Sequence, residues 1–232
     1  MKYGLISNSP ILRNFSKYFP IYTEIQHGWY PDPTMHFNHH LNNNNYRFAL
    51  LWNYENYYHL KIPSWKRAII GCPYVYYRRK NNLHHKNNAI GTVFYPQHGT
   101  IKHSIEIDFK LVVNELKELP KSFHPITVSL YIDDYLDKSI NNLYASEFSV
   151  VTAGNPFSPE FVKNFYKILL RHKYAIGNDV TTASFLAVEA GIPFSLLKNK
   201  NKKIINKKTG KQIPYSSHIR NNKLCNNYKI FG

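Results

Sequence analysis

An open α/β sheet of parallel strands is the fold class predicted for the second half of this 232-residue chain. Three observations predict it. Short apolar runs alternate with stretches of helical periodicity between residues 90 and 197. The spacing between successive runs is long enough for crossover helices, which favours parallel pairing through right-handed connections. The segment Tyr174–Leu197, YAIGNDVTTASFLAVEAGIPFSLL, reads in order as strand, polar turn, small-residue helix and second strand.

The elements follow in chain order. Gly91–Tyr95 (GTVFY) reads as a strand that ends at Pro96. Ser104–Leu119 carries Ile105, Phe109, Val112, Leu116 and Leu119 on one side, so a single amphipathic helix is expected, stopped by Pro120. Ile126–Ile132 is a second strand, Leu136–Tyr144 a short helix and Phe148–Ala153 a third strand. Ser158 as N-cap, with Pro159 and Glu160 in the first turn, opens a helix to about His172. Its apolar stripe is Phe161, Val162, Phe165, Ile168 and Leu169.

The first part of the chain is less regular. Ile21–Ile25, Phe48–Trp52 and Ala68–Ile70 read as short buried strands, and His36–Tyr46 (HFNHHLNNNNY) as an exposed loop. Its three histidines lack accompanying carboxylates or cysteines, so no metal is expected. Lys80–Asn88 (KNNLHHKNN) has linker composition. The expected organisation is thus residues 1–85, residues 86–200, and a basic tail over 201–232.

Composition limits the function classes. Hydrophobic content of 43% with 16% aromatic residues excludes general disorder, and no apolar run approaches the roughly 18 residues of a membrane span. The N-terminus shows no apolar core of a secretory signal, which predicts a cytoplasmic protein. Cys72 and Cys225 lie far apart without ligand spacing, so neither a disulfide framework nor a zinc site is expected. The formal charge of +16 implies attraction to an anion: nucleic acid, an acidic membrane or a phosphate-bearing substrate. The alternative is an AT-rich coding bias without functional meaning. The run KNKNKKIINKKTGK would give peripheral contact with an anionic membrane or nucleic acid, or else stay solvated.

Ligands of open α/β sheets bind beyond the carboxyl ends of the strands. Four loops would meet there. Pro96–Lys102 contributes His98, Gly99 and Thr100: a hydrogen-bonding or charged imidazole, a glycine for close backbone approach, and a hydroxyl. Asp133–Asp137 holds three of the 14 acidic residues, suited to a base, a sugar hydroxyl, a metal or a plain helix start. Gly154–Ser158 contributes Gly154, and Gly177–Thr182 contributes Asn178, Asp179, Thr181 and Thr182 at a helix start, where an anionic group such as a phosphate fits. Helix capping is the other reading of these residues. His27, in Gln26-His27-Gly28-Trp29 at the end of an apolar run, is a candidate general base or acid, or a structural histidine in an aromatic cluster. No GxSxG elbow, P-loop or GxGxxG is present, which weighs against hydrolase and nucleoside-triphosphatase readings.

Taken together, QHGW (26–29), LLWN (50–53), IGCPY (70–74), GTVFYPQHGT (91–100) and the 174–194 segment resemble bacterial surface-polysaccharide glycosyltransferases of the GT-B type. Their order is similar to that in CDP-glycerol glycerophosphotransferases and bacterial sialyl- or polysialyltransferases. The resemblance implies a Rossmann-like donor-binding domain preceded by a reduced N-terminal α/β part on the acceptor side. It implies that Thr181 and Thr182 contact the donor phosphate and that His27 serves the acceptor; His98, from its place in the strand-end loop, is expected to add charge there as the second catalytic histidine. The expected ligands are a nucleotide-sugar donor and a glycan or polysaccharide acceptor, without a cofactor or metal. The alternative function is a non-catalytic glycan- or nucleic-acid-binding protein.

Overall fold

The computed structural model describes residues 23–26, 28, 48–59, 63–99, 103–198 and 202–213. The expected loop His36–Tyr46 lies outside them, as do His27 and Thr100. The chain divides into two units, Met1–Leu83 with Pro156–Val162, and His84–Asn155 with Lys163–Gly232.

In the first unit β1 (Thr23–Ile25), β2 (Phe48–Leu51) and β3 (Arg67–Ile69) form a parallel sheet in the order β1-β2-β3. Along β2, Ala49 and Leu51 are buried while Phe48 is exposed, the alternation of a half-covered strand. The expected strand Ala68–Ile70 falls one residue earlier. Ile70 lies past its end, exposed, with its N–H on the Leu51 carbonyl at 2.8 Å. Among the described residues the unit also holds helices α1 (Tyr54–His59) and α2 (Pro73–Lys80), α2 opening on a proline that needs no amide partner in the first turn.

The second unit carries the larger sheet. Strands β4 (Thr92–Tyr95), β6 (Ile126–Leu130), β7 (Ser149–Thr152), β8 (Tyr174–Gly177) and β9 (Phe194–Leu196) are all parallel, in the order β7-β6-β4-β8-β9. This is the Rossmann-like order 3-2-1-4-5, in which the chain winds outward on one side of β4 and then returns to its other side. Every residue of β4 is buried, as a central strand covered on both faces requires. Phe94 joins the core of Val112, Leu116, Ile126, Val128, Leu130, Tyr144 and Ile176, while Tyr95 packs on Phe165 with ring centroids 5.7 Å apart.

Two helical expectations are corrected. The run Ser104–Leu119 is not one helix. His103–Ile107 is strand β5, and the helix α3 runs Phe109–Lys117 with the Asp108 carboxylate accepting the Leu111 N–H at 3.2 Å. Ser104-Ile105-Glu106-Ile107 alternates with period two, and its pairing partner is almost a hundred residues away. The short helix expected at Leu136–Tyr144 is two, α4 (Ile132–Leu136) and α5 (Lys138–Ala145). Asp137 separates them and caps the second through the Ser139 N–H at 2.9 Å. Ser158 accepts the Glu160 N–H at 3.2 Å within the turn before the next helix, which starts two residues later than the Pro159 expected; α6 runs Phe161–Leu169.

The segment read as a basic tail begins with structure. Strands β10 (Lys202–Asn206) and β11 (Gln212–Ile213) form a hairpin, and β10 pairs antiparallel with β5.

His172, before β8, provides a pH-dependent element. Its Nδ1–H donates to the Ile168 carbonyl at 2.8 Å, and its own carbonyl accepts the His85 Nε2–H at 2.9 Å. Burial, more than its Arg171 neighbour, holds the imidazole below its ordinary 6.5. The folded state therefore binds fewer protons than the unfolded chain as pH falls below 6.5, so His172 removes stability on the acid side. We expect thermal melts taken from about pH 8 to about pH 5 to show a shallower acid limb for His172→Gln than for the wild type. Parallel limbs would assign the pH dependence elsewhere.

Candidate functional site

The carboxyl ends of β4 and β8 flank the point where the winding reverses, and a crevice at that point is where ligands of such sheets bind. The loops leaving the two strands are tied together. Asn178, 8% exposed, accepts the Gln97 N–H on its side-chain carbonyl at 2.7 Å. A buried amide acceptor aimed at a neighbouring loop fixes the spacing of both strand exits.

After β4 the chain presents His98. Its Nδ1 lies 2.7 Å from the Gly99 carbonyl, which can only accept, so Nδ1 carries a proton and Nε2 is the basic nitrogen of the neutral ring. The ring stacks on Tyr131, which follows β6, with centroids 4.2 Å apart and planes within 9°. The neighbouring Asp134 is half-buried. Burial raises its carboxyl above the usual range, Asp133 and Asp137 add to the rise, and His98 and Lys207 oppose it. Tyr131 is raised by burial and by the same two carboxylates, Asp133 and Asp134. Asp137 is spent differently: its hydrogen bonds to Ser139 hold it below the ordinary carboxylate value, as suits a cap.

After β8, Asp179 Oδ1 accepts the Val180 N–H at 2.9 Å. Thr181 is the N-cap of α7 (Thr182–Glu189). The Ser184 hydroxyl reaches back to the Thr181 N–H at 3.2 Å and donates to the Thr181 carbonyl at 2.6 Å, fixing the first turn. No acidic side chain stands in that first turn; the nearest carboxylate in the chain before it is Asp179, two residues ahead of the N-cap. A side chain on Gly177 would meet the Phe194 ring and the Asp179 carbonyl, both at 3.0 Å, so the bare backbone lets the strand end lie against its neighbour. Gly154, after β7, has φ of 88° and donates its N–H to Thr152 Oγ1 at 3.1 Å.

His98, Gly99, Gly154, Asn178, Asp179, Thr181 and Thr182 thus all stand at carboxyl ends of one parallel sheet. Thr100 lies outside the described residues. So does His27, although its neighbours are defined. Gln26, 1% exposed, donates to the Gly28 carbonyl at 2.9 Å and accepts the Trp52 N–H at 2.8 Å, so it holds the early turn onto the end of β2. The sequence reading assigned Gln26 no role, and its neighbours Thr23, Glu24 and His27 carry no signal of such a buried bridge. Tyr131 was likewise missed, as an aromatic within what read as strand.

Among the described residues no group of three or more His, Cys, Asp or Glu is placed to hold a metal ion, and no helix is long and apolar enough to cross a membrane. Fold and strand-end loops define a Rossmann-like α/β protein with a polar site at its topological switch point. Its chain matches no protein-family model and no curated protein.

Proposed function

We propose that this protein is a GT-B-like glycosyltransferase of polysaccharide or glycan biosynthesis, transferring a sugar or polyol phosphate from a nucleotide-activated donor. The observation that carries the reading is the convergence at the switch point: Asn178 ties the β4 and β8 exits together beside α7, whose first turn carries no acidic side chain. The resemblance of the QHGW, IGCPY and YAIGNDVTTASF segments to polysaccharide glycosyltransferases supplies the substrate class.

In this reading Thr181, Thr182 and the α7 amides hold the donor phosphate, and Gly99, Gly154 and Asp179 line the donor's path. His98 adds a proton or positive charge to the leaving nucleotide. The resemblance gives the part of general base toward the acceptor hydroxyl to His27; as the acceptor oxygen attacks and loses its proton to the base, the nucleotide departs with the electrons of the broken bond. The acceptor is a glycan or polysaccharide.

Calorimetry with CMP-, CDP-, UDP- and GDP-linked compounds tests the donor site. At least one should bind, and Thr181→Ala/Thr182→Ala should weaken it roughly tenfold, the loss of one or two hydrogen bonds to a charged group. Failure of every nucleotide to bind, or equal binding by the double variant, would sink the proposal. Steeply salt-dependent retention of nucleic acid in their place would make the protein a nucleic-acid-binding module.

A further inference from the structure

The lysine-rich turn of the C-terminal hairpin stands at the candidate site. β10 pairs with β5 in a register that sets Asn206 opposite His103, the first residue of β5. The chain entering β5 comes from Pro96–Gly99, the loop that leaves β4 and carries His98. Lys207 therefore begins the turn on the same side of the hairpin sheet as that loop. An independent sign of the placement is electrostatic. Lys207 and His98 both stabilise the charged form of Asp134, so the hairpin turn, the β4 exit and the β6 exit lie within reach of one another's fields.

The turn is built to present cations. Lys207, Lys208, Thr209, Gly210 and Lys211 are all exposed, and Gly210 adopts φ of 65° to close the hairpin. Asp134 and Lys207 form no ion pair among the described residues. Lys203, further along β10, stands opposite Glu106 in the strand register. Three lysines within five residues beside an exposed imidazole make a surface suited to a group bearing two or more negative charges.

We propose that the hairpin turn completes the donor site, with Lys207 contacting the phosphate groups of the bound nucleotide. This rests on the reading of the switch point as a nucleotide site and adds a residue to it from a segment distant in sequence. Lysine acts here as a mobile point charge, reaching a phosphate that the α7 N-terminus holds from the other side.

The test compares Lys207→Glu, Lys207→Arg and Lys167→Glu, the last on the exposed face of α6 as a control for net charge, in the full chain. Calorimetry is run with the best-binding nucleotide of the panel above and with inorganic pyrophosphate. Lys207→Glu should weaken both roughly tenfold or more, since a hydrogen bond to a charged group is lost and a repulsion gained. Lys207→Arg should stay within about threefold of wild type and Lys167→Glu within about twofold, as expected for one remote charge screened over about 8 Å at physiological salt. Wild-type binding that Lys207→Glu leaves intact, with unchanged circular dichroism, overturns the proposal. Pyrophosphate binding that depends on Lys207 without nucleotide binding keeps the hairpin's role and removes the nucleotide reading. Absence of binding to either probe removes both.

Discussion

Gly91→Ala should be among the most damaging single substitutions in this chain. Gly91 opens the central strand β4 with φ of 64°, where a side chain is strained whatever the space. There is also no space. An added Cβ would lie 2.1 Å from the Pro125 carbonyl oxygen and 2.9 Å from the Pro125 ring, so the backbone itself would have to move. Movement is costly because the residue is pinned on both flanks. Its carbonyl accepts the Lys173 and Tyr174 N–H groups at 3.0 and 3.1 Å, and the adjacent Thr92 N–H donates to the Pro125 carbonyl at 2.9 Å. The conformational strain costs about 1–3 kcal/mol. Forced overpacking adds about 1–3 kcal/mol. A loss of roughly 2–6 kcal/mol is a large fraction of the roughly 5–15 kcal/mol by which domains are stable. Urea denaturation measures it, and Gly210→Ala is the control: φ is 65° there with nothing within 4 Å of the added carbon. Gly91→Ala should cost clearly more than Gly210→Ala, and equal losses would show that the clash at Pro125 is relieved.

Asn178→Ala is expected to cost roughly 1–3 kcal/mol, the range for removing one partner of a buried hydrogen bond. The Gln97 N–H loses its 2.7 Å acceptor, and the β4 and β8 exits lose their tie. The substitution should lower the urea midpoint without changing the slope, the signature of lost stability rather than altered compactness. It should also weaken the nucleotide that the wild type binds, because the spacing between His98 and the α7 N-terminus is no longer held. A variant as stable as wild type would mean that the two loops are positioned by other contacts. A destabilised variant with full affinity would separate the tie from the site.

Much of the second unit was legible because its local signals agree. The strand runs GTVFY and ITVSL are short, apolar and each flanked by a proline, and the Thr181 cap stands where hydrogen-bond chemistry requires a helix to start. The strand-end loops followed from the alternation, and with them His98, Gly154, Asn178 and Thr181. The error at Ser104–Ile107 has a physical origin. Ile105, Phe109, Val112 and Leu116 fit a helical stripe as well as a strand followed by a helix, and the deciding factor is the partner strand Lys202–Asn206. Asp108 was the available signal, a capping residue in the middle of the supposed helix.

The residues by themselves determined the alternation of elements, the parallel class of the larger sheet and the strand-end loops that carry its polar groups, because periodicity and capping act within a few residues of each other. Only the tertiary structure decided the strand order β7-β6-β4-β8-β9, the Gln97–Asn178 tie, the stacking of His98 on Tyr131 and the folding of a lysine-rich segment onto β5. These depend on which distant segments bury each other's backbone groups, and sheet pairing is a non-local choice that no short window of sequence contains.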